Sequence, residues 1–206
     1  MCNKSAVINL NKQDYIGQGS HRLCYQHPEE SGLCVKVAKN AVTWRNRRND
    51  QNHREASYYR LLERRGVSWH HIAKCYGWTE TNKGKGLLFE LIADKNNQPL
   101  PNLEEQLNTG ELCKESVAYE LRKLNEWIIK SAVVVDDLRP SNIIYDPERD
   151  KGERLIVIDG VSNRNFIKLA SYIPALARNK MKRKWRRFCQ KYMQHHDIPL
   201  ESCIPT

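Results

Sequence analysis

No stretch of this 206-residue sequence approaches the ~18 apolar residues in a row that a membrane-spanning helix needs, so none is expected. The first residues, Met1-Cys2-Asn3-Lys4-Ser5, are followed by no long apolar run, and a secretory signal is not expected. Cys2 stands too near the start to follow such a signal, so a lipoprotein anchor is not expected either. The seven cysteines, at 2, 24, 34, 75, 113, 189 and 203, are odd in number and contain no CxxC pair. That spacing argues against both a disulfide framework and a zinc site, and for reduced, mostly buried thiols of a cytoplasmic protein. There is no internal repeat and no low-complexity tract. Acidic residues are missing altogether between Gly160 and His196.

What is present describes a soluble globular protein of one or two domains, 40% hydrophobic and 28% charged. The net charge of +10 has one source: the acid-free segment from Gly160 to His196 holds ten Lys or Arg, and the other 24 basic residues balance the 24 acidic ones. A local excess of this kind implies an anionic partner more strongly than a diffuse one.

Patterning divides the chain unevenly. Tyr15-Ile16 reads as a strand entering a tight turn at Gly17-Gln18-Gly19-Ser20, and Leu23-Cys24-Tyr25 resumes as a second strand. Leu33-Cys34-Val35-Lys36-Val37-Ala38 is a third, apolar but for one lysine. Residues 50–65 read as a helix with Ala56, Tyr59 and Leu62 on its apolar stripe and Gly66 as C-cap. Residues 72–78 and 87–92 read as two more strands around the turn Asn82-Lys83-Gly84-Lys85-Gly86. Residues 94–101, polar and holding two prolines, read as a linker. A long helix is expected over 115–129, a short strand pair over 142–145 and 155–158, and mainly helix over 165–193.

Two signals bear on chemistry. Asp137-Leu138-Arg139-Pro140-Ser141-Asn142 sets an Asp five residues before an Asn, and 17 residues after Asn142 an apolar strand ends in Asp159-Gly160. An Asp that orients the proton of an attacking hydroxyl, and an Asn and an Asp that offer oxygens to magnesium, are what transfer of a phosphoryl group from ATP requires. Pro140 helps to fix the loop that carries them. In the first half, Gly17-Gln18-Gly19 lets a hairpin backbone lie close over phosphates. Lys36 stands in an apolar strand where phosphate oxygens and a carboxylate would explain it, and Glu55 on the next helix can supply that carboxylate.

With these residues in view, the chain resembles a small, divergent member of the protein-kinase-like superfamily and, within it, the bacterial YrbL family of PhoP-regulatory-network proteins. The resemblance covers nearly the whole chain. It is carried by the segments from Ile16 to Pro28, Cys34-Val35-Lys36-Val37, Arg54-Glu55-Ala56-Ser57-Tyr58-Tyr59, Leu91-Ile92-Ala93-Asp94 and Leu138-Arg139-Pro140-Ser141-Asn142-Ile143-Ile144. It implies an α+β bilobal fold: a five-stranded antiparallel N-lobe with one helix over 1–93, a hinge at 94–101, and a reduced, mostly helical C-lobe over 102–206. It also implies ATP and magnesium as cofactors. Asp137, Lys36, Asn142 and Asp159 would be catalytic, with Asn142 and Asp159 as the metal ligands. Gly17, Gln18, Gly19, Ser20, Arg22, Lys36, Glu55, Glu90 and Ile92 would surround the nucleotide.

The chain departs from the superfamily pattern in several places. Arg22 stands where a third glycine is usual, Val135 and Asp136 where His and Arg are, and Gly160-Val161 follows Asp159 without the usual Phe. No Ala-Pro-Glu signature follows, and only 47 residues remain after Asp159. These departures turn the expected acceptor from an ordinary protein substrate toward a small-molecule, sugar or lipid-linked hydroxyl, or an unusual protein. They also keep open a pseudokinase-like regulatory or binding module that works through its basic surface.

That surface is expected over 178–191, where Lys180, Lys182, Arg183, Lys184, Arg186 and Arg187 alternate at helical spacing with Met181, Trp185, Phe188 and Tyr192. A core helix, a contact with an anionic membrane or lipopolysaccharide phosphates, and a nucleic-acid contact are all compatible with the pattern. The expected location is cytoplasmic, with a peripheral association at the inner membrane as the variant that the basic segment suggests.

Overall fold

The computed structural model describes residues 7–40, 50–147, 152–162 and 173–199. The protein is a mixed α+β structure that divides into two compact units, residues 1–60 with 73–99 and residues 61–72 with 100–206. Among the described residues there are seven strands and four α-helices.

The first unit is built on a five-stranded sheet of β1 (Tyr15–Gln18), β2 (Arg22–Gln26), β3 (Leu33–Ala38), β4 (Cys75–Thr81) and β5 (Gly84–Glu90). Its order is β1-β2-β3-β5-β4 and every neighbouring pair is antiparallel. The period-2 alternation of strands sorts the side chains into two sets. Leu23, Tyr25, Val35, Val37 and Leu88 pack with Ile8 and Leu10 of the N-terminal segment. Arg22, Cys24, Cys34, Lys36, Leu87 and Phe89 share the other face, as the registers Cys24↔Lys36, Lys36↔Leu87 and Cys34↔Phe89 require. Helix α1 (Gln51–Arg64) contributes Tyr59, whose ring meets Phe89 edge-on at 5.5 Å. Gly86 is needed on the core side, since a Cβ there would stand 2.7 Å from Val35 Cγ1 and 3.0 Å from Val37 Cγ1.

The second unit holds α2 (Leu103–Thr109), α3 (Lys114–Ser131), β6 (Ile143–Asp146), β7 (Arg154–Val157) and α4 (Pro174–Phe188). Helix α3 buries Val117, Leu121, Leu124 and Ile128, the stripe its spacing predicts, and packs with α4, which buries Ala177, Met181, Trp185 and Phe188. Strands β6 and β7 pair antiparallel and are wholly buried.

Three local findings differ from the sequence reading. Ile72 does not open β4; it is fully buried and forms a parallel bridge with Val157, so strand β4 begins three residues later. Helix α2 follows the linker without a long apolar stripe to announce it. Its start is fixed by Asn102, whose side chain accepts from Glu105 N while Glu105 accepts from Asn102 N, and its end by Gly110 at φ +71°. Beyond Phe188 the α-helix widens into a π-turn, Cys189–Met193. The first part of the helix expected over 165–193, through residue 172, lies outside the described residues, as do Cys2 and Cys203.

Candidate functional site

Each unit carries its own group of the residues expected to handle phosphate and metal. In the first unit, Gly17 and Gln18 end β1, paired with Cys24 and Leu23, and the exposed turn Gly19-Ser20-His21 leads into β2, closed by Gly19 N donating to Arg22 O at 3.0 Å. Neither Gly17 nor Gly19 has a positive φ, and a Cβ on either would meet nothing within 4 Å. No conformational or packing demand of the fold therefore accounts for glycine at these two positions.

Behind the turn lies a buried polar network. Arg22, 4% exposed, donates through Nη1 to Glu55 Oε2 at 2.7 Å and through Nη2 to Glu55 Oε1 at 3.2 Å. Such a fork-to-carboxylate pair is the strongest of ion-pair geometries. Nη1 also donates to Asn52 Oδ1 at 2.9 Å, and Asn52 Nδ2 donates to the carbonyl of Lys36 at 3.0 Å. Asn52 sits one helical turn before Glu55, so both reach the same strands. The sequence reading gave Glu55 to Lys36 and set Arg22 beside phosphate; both Glu55 oxygens accept from Arg22 here. Lys36 is buried, with Nζ 4.6 Å from the centre of the Phe89 ring.

Two thiols on this face, Cys34 and Cys75, are shifted toward the protonated form. Cys34 is pushed up, first by its hydrogen bond with Cys24 and then by burial, and burial pushes Cys75 up to about 11. Glu90 Oε2 accepts from Lys74 N at 3.1 Å, and Ile92 is buried in the same unit.

In the second unit, the loop before β6 and the turn after β7 meet. Asp136 N donates to Gly160 O at 2.8 Å, and Ile158 N donates to Asn142 O at 2.9 Å. Asn142 Nδ2 donates to the carbonyl of Asp137 at 2.8 Å, which commits the amide nitrogen and leaves the side-chain oxygen as the atom suited to a cation. Asp159 Oδ1 accepts from Gly160 N at 2.6 Å. Gly160 has φ +76°, and a Cβ there would stand 2.8 Å from Asp137 Cβ and 3.0 Å from Asp137 O. A glycine is thus required where the two segments cross, and the Asp-Gly step does more than turn the chain.

Asp137, Asn142 and Asp159 are brought together by this arrangement. One carboxylate and one amide oxygen are the kinds of ligand that could serve a magnesium ion whose shell phosphates and water complete. Asp137 Oδ2 also pairs with Arg139 Nη2 at 2.5 Å, a contact of two half-exposed groups.

Sequence reasoning assigned no role to Asn52, Arg139 or Asp136. Asp136, standing where an arginine was expected, is the anchor of α4: Lys180 Nζ lies 2.6 Å and Lys184 Nζ 3.7 Å from its Oδ1, and Lys184 also donates to its carbonyl. Burial lowers Lys184 from its ordinary value, and the Asp136 charge opposes that shift. The i, i+4 spacing of the two lysines was the legible sign that they share a partner.

Comparison with known proteins agrees with one part of the sequence reading. The family described as PhoP regulatory network protein YrbL matches residues 8–193. The chain is 31% identical over 188 residues to the protein named "Uncharacterized protein YrbL" of Escherichia coli (strain K12), covering 88% of this chain and 86% of the relative. The same figures hold for the protein of that name from Shigella flexneri. With a match that runs from the first sheet segment to the end of the basic helix, the chain belongs to the YrbL family of PhoP regulatory network proteins.

Proposed function

We propose that the protein is an ATP-dependent phosphotransferase of the protein-kinase-like class, acting on a hydroxyl. The observation that carries this reading is the crossing of the Asp137 loop with Asp159-Gly160, where a required glycine holds a general-base candidate against a metal-ligand candidate. The open Cβ positions of Gly17 and Gly19 support it from the other unit, since backbone that must lie against a phosphate has a use for glycine that the fold itself does not.

In this reading the acceptor oxygen attacks the γ-phosphorus, the bond from that phosphorus to the β,γ-bridging oxygen breaks, and ADP leaves. Asp137 takes the hydroxyl proton. Asn142 and Asp159 would hold a magnesium ion, which when bound would neutralise charge on the phosphate oxygens. Lys36 meets phosphate, and Arg22, through Glu55 and Asn52, stiffens the strand that carries Lys36. The acceptor class is a sugar, lipid-linked or protein hydroxyl.

The test is transfer of labelled γ-phosphate from ATP with magnesium, measured on wild type and Asp159→Ala. Loss of turnover of about a hundredfold or more in the variant is expected, since a metal ion at a transferring phosphoryl group is worth several kcal/mol and Asp159 is one of its proposed ligands. Turnover unchanged by Asp159→Ala would sink the assignment.

Two observations favour a second reading, a pseudokinase-like binding or regulatory module. Glu55 is engaged by Arg22, and Asp137 is paired with Arg139. That module would give a thermal shift with ATP, worth ~2.7 kcal/mol at a hundredfold excess over Kd, and no transfer.

A further inference from the structure

The basic segment is sorted by the structure into charges that are used and charges that are not. Helix α4 buries its apolar side, so that side is not available to lie in lipid. Lys180 and Lys184 share the single carboxylate of Asp136, and Arg178 Nε donates to the carbonyl of Ile129 at 3.1 Å. Lys182, Arg183, Arg186 and Arg187 remain. All four are exposed, and among the described residues none has an ion-pair partner. Their spacing of i, i+1, i+4 and i+5 puts them on one side of the helix in two successive rungs. Arg178 and Asn179 apart, no other polar residue of the helix is exposed on that side, and no acidic residue lies anywhere in the helix.

Two exposed apolar side chains precede this patch along the helix. Ile173 and Leu176, at the start of the helix, are each 41% exposed. Leu176 precedes Arg183 by seven residues and Arg187 by eleven, so it stands on the same face. A surface of four uncompensated cations edged by apolar side chains fits a phase that offers anionic phosphates outside and hydrocarbon just beneath. A nucleic-acid backbone would use the charges but not Ile173 or Leu176, and the patch has no exposed aromatic ring on which a base could stack.

We propose that this face of α4 docks the protein on an anionic phospholipid bilayer, adsorbed by Lys182, Arg183, Arg186 and Arg187, with Ile173 and Leu176 entering the headgroup layer. The helix stays seated in its own core throughout, so docking needs no unfolding. The proposal stands apart from the phosphotransferase reading and does not depend on it.

The experiment is co-sedimentation of the full chain with vesicles of phosphatidylcholine alone and of phosphatidylcholine with phosphatidylglycerol. Binding is expected only to the anionic vesicles and should weaken as salt is added. Each Lys or Arg near such a surface is worth about 1 kcal/mol, so K182Q/R183Q/R186Q/R187Q should lose several hundredfold in partitioning, and R183Q/R187Q roughly thirtyfold. I173S/L176S should weaken binding while leaving its salt dependence unchanged. The altered residues are exposed, and an unchanged melting temperature would certify the folded state of each variant. The proposal is overturned by equal binding to both vesicle types, by no binding to either, or by binding that the double arginine variant does not alter. It is also overturned if duplex DNA at the same ionic strength displaces the protein from the vesicles.

Discussion

At the scale of single residues, glycine shows how differently one residue type is used. Gly160 lies in the left-handed region with Asp137 pressed against its Cα, whereas Gly17 has ordinary backbone angles and open space around it. Alanine at 160 adds a left-handed penalty of roughly 1–2 kcal/mol and an overpacking cost of roughly 1–3 kcal/mol. Gly160→Ala should therefore lose about 2–5 kcal/mol in urea denaturation, while Gly17→Ala should stay within about 0.5 kcal/mol of wild type. Equal stability of the two variants would refute the close approach at Asp137. The Asp159-Gly160 pair was legible as a turn and as a metal-ligand candidate. The need for glycine was not, because it comes from a residue 23 positions earlier in the chain.

At the scale of elements, the packing of α1 on β2 and β3 carries a buried ion pair rather than a purely apolar seam. A pair of this kind contributes little net stability, but removing one partner strands the other charge in the interior. Glu55→Ala should cost roughly 3–5 kcal/mol because Arg22 stays behind with both of its fork contacts gone. Arg22→Met combined with Glu55→Leu should cost much less than the sum of the single changes, and a double-mutant cycle in denaturant reads that coupling. Additive effects would mean that the pair is not formed. The strands and α1 could be read from short apolar runs and helical spacing. The Arg22–Glu55 pair could not, since Arg22 and Lys36 both project from the same face of adjacent strands and sequence order does not single out Arg22. Helix α4 divides in the same way: its apolar stripe was visible, but which of its lysines find an acidic partner depends on Asp136, 44 residues before Lys180.

At the scale of the whole molecule, no described helix is long and apolar enough to cross a membrane. The chain enters the second unit twice, first for residues 61–72 and then from residue 100 onward. The first visit is secured by Ile72, bridged to Val157, and by His71, whose Nδ1–H donates to the carbonyl of Leu155 at 2.8 Å. Burial lowers His71 from 6.5 to about 4. The folded protein thus keeps this ring neutral between pH 6.5 and 4, while the unfolded chain takes up a proton. In that window the unfolded state binds more protons, so stability falls as pH falls. The contribution lost by pH 4 is roughly 3 kcal/mol, from about 1.4 kcal/mol for each unit of displacement. Denaturation midpoints across that range should fall more steeply for wild type than for His71→Asn, which keeps a donor but does not titrate. Parallel curves would show that His71 is charged in the fold.

Local physics determined much of this protein from its sequence alone. Short apolar runs between turn residues marked the five strands of the sheet, 3.6-residue spacing specified α1, α3 and the apolar face of α4, and the uneven charge singled out one basic segment. The match to the YrbL family follows from the same string of residues. Only the tertiary structure decided which charged groups meet: Arg22 with Glu55, Lys180 and Lys184 with Asp136, and Asp137 with Arg139. It also decided that Ile72 leaves its expected strand to pair with Val157. The reason is that periodicity is a property of neighbours in sequence, whereas ion pairs, bridges and the close contact at Gly160 join residues whose separation along the chain carries no signal until the backbone has folded.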